Sequence, residues 1–345
     1  MKLSWQRCDL TLAHSWATAR GKSGSTSSVV LVQLTSPNGL IGLGEASPIS
    51  RYKESIDSVE TFLQRIDPTK LSLDQIPQSM EYLETLSSHD KSAKTAIEMA
   101  LLDAAAKQAQ KSVHDYLGLG FRNDHHITSF TIGLDKPEII REKVLTADRF
   151  PILKIKVGVP GDKENWQALR DVAPKKLVRL DANEGWKTKE AALAMIEWFA
   201  KDFHVQFVEQ PLPASAPVED WLWFKQRSPL PVFADESFHN AADAARCAEC
   251  FHGVNVKLSK TGGLVAALAA LKAAKNLGLK TMIGCMVETS LSISAAAHLA
   301  EFCDYLDLDG NLLITNDPFN GVTVMNGILS FADAQEKYGL RVSLR

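Results

Sequence analysis

From about Ile127 the chain repeats one unit: a short apolar run, a turn, then a stretch with helical spacing. The runs fall at 127–133, 152–157, 177–181, 205–209, 231–235, 253–258, 280–285 and 305–309, separated by helical stretches such as Lys189–Lys201 and Leu264–Leu277. Strands that alternate with helices pair in parallel, because each helix carries the chain back to start the next strand. Eight evenly spaced units predict a closed (β/α) barrel rather than an open doubly wound sheet. No G-x-G-x-x-G follows any run, which also argues against a dinucleotide-binding fold. The expected fold class is therefore α/β, a TIM-type barrel.

The flanking sequence reads differently. Ser28–Leu34 is rich in β-formers, Pro37-Asn38-Gly39 is a hairpin-type turn, and Leu40–Glu45 begins the return strand. Helical spacing follows at Lys53–Ile66, at Ser79–Leu86 and most strongly at Ser92–Gln110, where Ile97, Leu101, Ala104 and Ala105 mark an apolar face suited to core packing. Residues 1–120 are thus expected to form an α+β domain and 121–317 the barrel, with the β- and loop-like stretch 318–345 returning to the first domain. The Gly- and Ser-rich loop Ala19–Ser25 reads as mobile, either as a plain loop or as a lid offering Arg20 or Lys22 to a substrate.

Composition removes whole classes of partner. With 38 basic against 41 acidic residues and no basic block, nothing points to nucleic acid. No run approaches transmembrane length and the start lacks the apolar core of a signal peptide, so a cytoplasmic protein without a membrane partner is expected. Five scattered cysteines make no disulfide framework. Cys247 and Cys250 have a CxxC spacing, but no second pair completes a zinc site. A small molecule is the expected partner, and a homo-oligomer is compatible with the sequence.

The charged residues of the runs are what a barrel would collect. Side chains two apart on a strand share a face, so Lys154 and Lys156 project together. Alone they would suit a solvated edge strand. Asp181 ends the third run, Glu209 the fourth and Asp235 the fifth; Lys257 lies on the sixth, and Asp307 and Asp309 close the eighth. Alternation turns all of these inward at the C-terminal ends of their strands, where barrel enzymes carry their chemistry. Asp181, Glu209 and Asp235 are hard oxygen donors suited to Mg²⁺. Each could instead cap its following helix, but three in register with lysines on both sides favour the metal. Lysines on the second and sixth strands would flank a substrate on the metal, and the cation would stabilise an enediolate formed by loss of a proton beside a carboxylate. A lysine base beside a bound Mg²⁺ is established chemistry for removing such a proton. Lys154 supplies positive charge beside Lys156, which favours a neutral base.

Leu153-Lys154-Ile155-Lys156, Asp181-Ala182-Asn183, Val208-Glu209-Gln210-Pro211, Ala234-Asp235-Glu236-Ser237 and Val256-Lys257-Leu258-Ser259-Lys260-Thr261-Gly262-Gly263 together resemble the muconate-lactonizing subgroup of the enolase superfamily. Gly42-Leu43-Gly44-Glu45-Ala46 and Leu101-Leu102-Asp103 extend the resemblance over essentially the whole chain. It implies a modified (β/α)₇β barrel, an α+β capping domain built from both termini, and one Mg²⁺. It also implies that Lys156 and Lys257 are the acid/base pair, with Lys154 supporting Lys156. Lys260 is the rival of Lys257 but falls beyond the strand on the opposite parity.

Within that subgroup Asp307-Leu308-Asp309 resembles the D-x-D motif of dipeptide epimerases, which holds the α-ammonium of the dipeptide. Two carboxylates on one face suit an –NH₃⁺ and would repel an acylated, wholly anionic substrate. The expected function is therefore 1,1-proton transfer at the C-terminal α-carbon of a dipeptide, Ala-Glu being one candidate. The alternatives are o-succinylbenzoate synthesis, N-acylamino acid racemisation or muconate cycloisomerisation on the same scaffold, and a non-catalytic binder of a metal or ligand. Specificity is expected from Arg20, from the first-strand stretch Ser129–Gly133 with Thr131 at its centre, and from Glu288.

Overall fold

The computed structural model describes residues 1–14, 17–22 and 24–345, without the Lys22 side chain. Eight parallel strands, Phe130–Ile132, Ile152–Lys156, Leu177–Asp181, Val205–Glu209, Val232–Ala234, Gly253–Lys257, Lys280–Gly284 and Tyr305–Asp307, form one sheet in chain order. A parallel bridge between Thr128 and Leu306 brings the first strand beside the eighth, so the sheet is a nearly closed barrel. The first run is shorter in the barrel than the sequence suggests. Thr128 N–H donates to Gly327 O at 2.8 Å, and His126–Ile127 pairs antiparallel with the strand Ile328–Ser330 instead.

Alternation sorts each strand into two environments. Leu153, Ile155, Val178, Leu180, Val208, Val254, Val256 and Ile283 are buried in the main core under the helices. Phe207, Phe233 and Met282, packed by Tyr305, make a separate cluster inside the barrel. The Arg179 guanidinium lies over the Phe207 and Tyr305 rings and donates to Leu306 O at 2.6 Å. This floor closes the barrel below the mouth. Two glycines make room for it and for the layer above: a Cβ on Gly253 would come within 2.4 Å of the Phe233 ring, and one on Gly284 within 2.6 Å of Asn255 Oδ1.

The N-terminal region holds an antiparallel sheet of Lys2–Thr11, Thr26–Thr35 and Ile41–Ala46 with helices Ile56–Gln64, Ile76–Leu86 and Lys91–Gln108. The first helix begins at Ile56 rather than Lys53 because Ser55 and Ser58 cap each other reciprocally. The second begins at Ile76, with Pro77 in the first turn, where its missing N–H leaves nothing unsatisfied. The third is buried from Ser92 to Ala106, on every side rather than on one apolar face. On one side it meets the sheet so closely that a Cβ on Gly42 or Gly44 would lie 1.9 Å from Ala100 O or Ala96 O. On another it meets the barrel: Thr95 Oγ1 donates to Leu258 O at 2.8 Å, and Glu98 accepts from Val265 N–H at 3.1 Å. Leu340 N–H donates to Asp103 on the same helix at 2.8 Å, laying the C-terminal stretch against it. The loop before the second sheet strand is a small hairpin, Ala17–Thr18 paired with Gly21–Lys22, with Arg20 at its turn. The Lys22 side chain and Ser23 lie outside the described atoms.

Candidate active site

Strand register builds the site. Lys156 pairs with Asp181, and Asp181 with Glu209, across three adjacent strands; Asp235 follows the fifth strand directly. Sharp turns follow Asp181 and Glu209, with Asn183, Glu184 and Gln210 in left-handed backbone at φ 43, 66 and 39°. Such conformations are uncommon outside glycine and gather at functional sites. The Gln210 side chain then accepts from Asp235 N–H at 2.9 Å and Ser237 N–H at 3.1 Å, fixing the loop that carries Asp235.

The three carboxylates lie in a row with a lysine at each end. Lys156 Nζ is 2.6 Å from Asp181, and Lys257 Nζ is 2.9 Å from Asp235. Lys154 Nζ lies beneath, 3.0 Å from Asp181, 2.8 Å from Glu209 and 2.7 Å from Asp307. Lys260 Nζ donates to Asp235 Oδ1 at 2.5 Å, to Asp235 O at 2.7 Å and to Asn255 O at 3.0 Å. Asn255 Nδ2 holds Glu209 at 2.7 Å. On the eighth strand, Asp307 accepts from Ser129 Oγ at 2.8 Å and Asp309 from Thr131 N–H at 2.6 Å.

Burial works against every charge here, and neighbours decide the outcome. It would lower Lys154, but Asp181, Asp307 and Glu209 hold that ammonium well above its ordinary range. Lys257 is likewise raised by Asp235 against burial. Burial outweighs Asp235 at Lys260, which is lowered. Asp181 and Asp235 resist burial and fall below the usual carboxylate range, under Lys154 and Lys156 for the first and Lys257 and Lys260 for the second. Glu209 goes the other way, pushed up to about 8 by burial and by Asp181. Burial and Asp307 raise Asp309 to about 6.

This donor set fits a hard divalent cation. Three carboxylates stand on adjacent strands, Glu209 lacks enough positive charge around it, and Asn255 Oδ1 beside it is buried without a hydrogen-bond partner. Among the described residues no three acidic, cysteine or histidine side chains already converge on one point as metal ligands. Each of the three carboxylates lies against an ammonium.

The structure gathers Lys154, Lys156, Asp181, Glu209, Asp235, Lys257, Asp307, Asp309 and Thr131 at one mouth. Arg20 reaches the same mouth but binds Glu236, with Glu184 3.8 Å away. Glu288 lies to the side, hydrogen-bonded to Ser47 and pushed up to about 7 chiefly by burial. Sequence reasoning missed Asn255, although it stands two residues before Lys257 and so on the same strand face. It also placed Lys260 by strand parity, whereas the chain enters a short helix, Leu258–Thr261, directly after Lys257. Arg51 and Glu184, joined by two 2.8 Å bonds, carried no local signal.

Residues 7–118 match the mandelate racemase/muconate lactonizing enzyme N-terminal domain, and residues 140–334 the enolase C-terminal domain-like family. An L-Ala-D/L-amino acid epimerase of Pedosphaera parvula is 59% identical over 99% of both chains. An L-Ala-D/L-Glu epimerase of Bacteroides thetaiotaomicron is 38% identical over 96% of this chain and 86% of its own. A crystal structure of a dipeptide epimerase from Enterococcus faecalis, complexed with Mg and L-Leu-L-Tyr, superposes with a TM-score of 0.89 at 29% identity over 99% of both chains.

Proposed function

The chain belongs to the mandelate racemase/muconate lactonizing enzyme family of the enolase superfamily, and on that premise we propose that it is a magnesium-dependent dipeptide epimerase acting at the C-terminal α-carbon. The observation that carries this reading is the carboxylate row with a lysine at each end and a second carboxylate pair on the eighth strand.

Asp181, Glu209 and Asp235 would hold Mg²⁺. When bound, it supplies the positive charge that makes a proton beside a carboxylate removable. Lys156 and Lys257 approach the α-carbon from opposite sides; one takes the proton and the other returns one to the opposite face. Lys154, raised and enclosed by three carboxylates, stays protonated and acts through its charge. Asp307 and Asp309 receive the substrate α-ammonium, replacing the partner that Lys154 gives Asp307 here. Thr131 and Ser129 set the orientation of that pair. Glu288, held by Ser47, borders the site without a place in the proton transfer.

A dipeptide library incubated in D₂O with Mg²⁺, read by mass spectrometry at each α-carbon, tests this. Label with inversion at the C-terminal residue is expected. Silence across the library from folded, magnesium-supplemented protein would move the assignment to succinylbenzoate or acylamino-acid chemistry.

A further inference from the structure

We infer that the side-chain pocket for the C-terminal residue selects uncharged side chains and rejects carboxylates, despite the two arginines that line it. This rests on the dipeptide reading above. With the α-ammonium on Asp307 and Asp309 and the α-carboxylate at the Asp181–Glu209–Asp235 row, the C-terminal side chain points away from the eighth strand. It faces the loops after the third and fifth strands and the N-terminal region: Arg20, Arg51, Tyr52, Asn183, Glu184 and Glu236.

Arg20 on its hairpin would seem the natural receptor for a glutamate side chain. Its guanidinium is already engaged by Glu236, a side chain only 1% exposed, and lies 3.8 Å from Glu184. Arg51 is engaged too, in a bidentate 2.8 Å pair with Glu184, which also accepts from Ala214 N–H at 2.7 Å. Two arginines thus meet two carboxylates, and the cluster has no net charge. An incoming carboxylate would have to take Arg20 from Glu236, leaving a buried carboxylate without its cation. It would also meet acceptors: Asn183 Nδ2 already donates to Glu236 Oε1 at 3.3 Å, while Glu236 Oε2 and Asn183 Oδ1 are buried without hydrogen-bond partners. Those two atoms accept an amide N–H and repel a carboxylate oxygen. Specificity of this kind comes from what the pocket repels as much as from what it binds.

The test is an isosteric pair. We expect kcat/KM for L-Ala-L-Gln to exceed that for L-Ala-L-Glu by about tenfold or more at neutral pH. Glu184→Gln unmasks Arg51 and part of Arg20, and should narrow that ratio by about tenfold; Arg20→Met should leave L-Ala-L-Glu the poorer of the two. Equal or greater turnover of L-Ala-L-Glu by the wild-type protein overturns the inference while leaving the dipeptide reading intact. Absence of α-deuterium exchange with every dipeptide overturns both. The wild-type comparison decides the matter even if either variant does not fold.

Discussion

Two pairs of buried carboxylates, Glu45 and Glu98 at the seam between the N-terminal region and the barrel and Asp181 and Asp235 at the barrel mouth, are held in opposite ways. At the seam, Glu45 accepts from Thr289 N–H at 3.0 Å and Ser292 N–H at 3.4 Å, at the start of the helix Ser290–Ala297. Glu98 does the same for the helix Leu264–Asn276. Burial, joined at Glu45 by Glu288, pushes these two up to about 8 and about 7. At the mouth, Asp181 and Asp235 are as deeply buried but lie against lysine ammoniums, and they fall below the usual range. Backbone N–H groups satisfy hydrogen bonds with partial charges only, so a proton still competes for the oxygen. Ammoniums bring whole charges, which a metal ion or a substrate ammonium can replace. The seam is built to stay as it is, and the mouth to exchange its partners.

The largest expected effect lies at the mouth. Lys156→Ala or Lys257→Ala should lower epimerisation by about 10³-fold or more, since each would remove one of the two proposed proton-transfer groups. The fold should survive, because Asp181 keeps Lys154 and Asp235 keeps Lys260. Each variant should still exchange the α-proton of the one epimer that faces its remaining lysine, read by deuterium incorporation without inversion. Normal inversion by both variants would remove the two-lysine mechanism. Chelation of Mg²⁺ should abolish turnover in wild type as well, and restored activity on adding the ion distinguishes this from damage.

Asp307→Asn should come next, with kcat/KM for a dipeptide reduced by about 10²-fold, the scale of one charge-assisted hydrogen bond lost to a buried cation. The same variant should change turnover of an N-succinylated amino acid little. A uniform loss on both substrates would mean that Asp307 serves mainly to hold Lys154.

How much of this was legible follows from the range of each interaction. Asp181, Glu209, Asp235, Lys257 and Asp307 could be placed because strand alternation and strand ends are local properties of the sequence. The same rule would have found Asn255. It stops at Lys257, where the backbone turns helical, and so it could not show that Lys260 returns to Asp235 from the following helix. Arg51 and Glu184 are 133 positions apart, and Arg20 and Glu236 are 216 apart. Only the docking of the N-terminal region on the barrel brings those pairs together, and no period in the chain announces it. The shortened first strand has a similar origin, a hydrogen bond from Thr128 to Gly327 in the distant C-terminal stretch.

The smallest effect sharpens the comparison at the seam. Glu98 starts from an ordinary value of 4.5 in the unfolded chain and stands near 7 when folded, raised by burial. The folded state therefore keeps a proton that the unfolded chain releases in that interval. The stabilisation is complete below about 4.5 and is lost as the pH rises through about 7. The Val265 N–H bond offsets part of this but does not reverse it. Glu98→Gln keeps an acceptor for that N–H and carries no titrating proton, so it should flatten the fall in stability between about pH 4.5 and pH 7 by about 1–3 kcal/mol. Thermal melts of both proteins across that range measure the slopes, with turnover as a control that should scarcely move. Parallel slopes would mean that the N–H groups hold Glu98 ionised at neutral pH, and the seam would then resemble the mouth more than the contacts suggest.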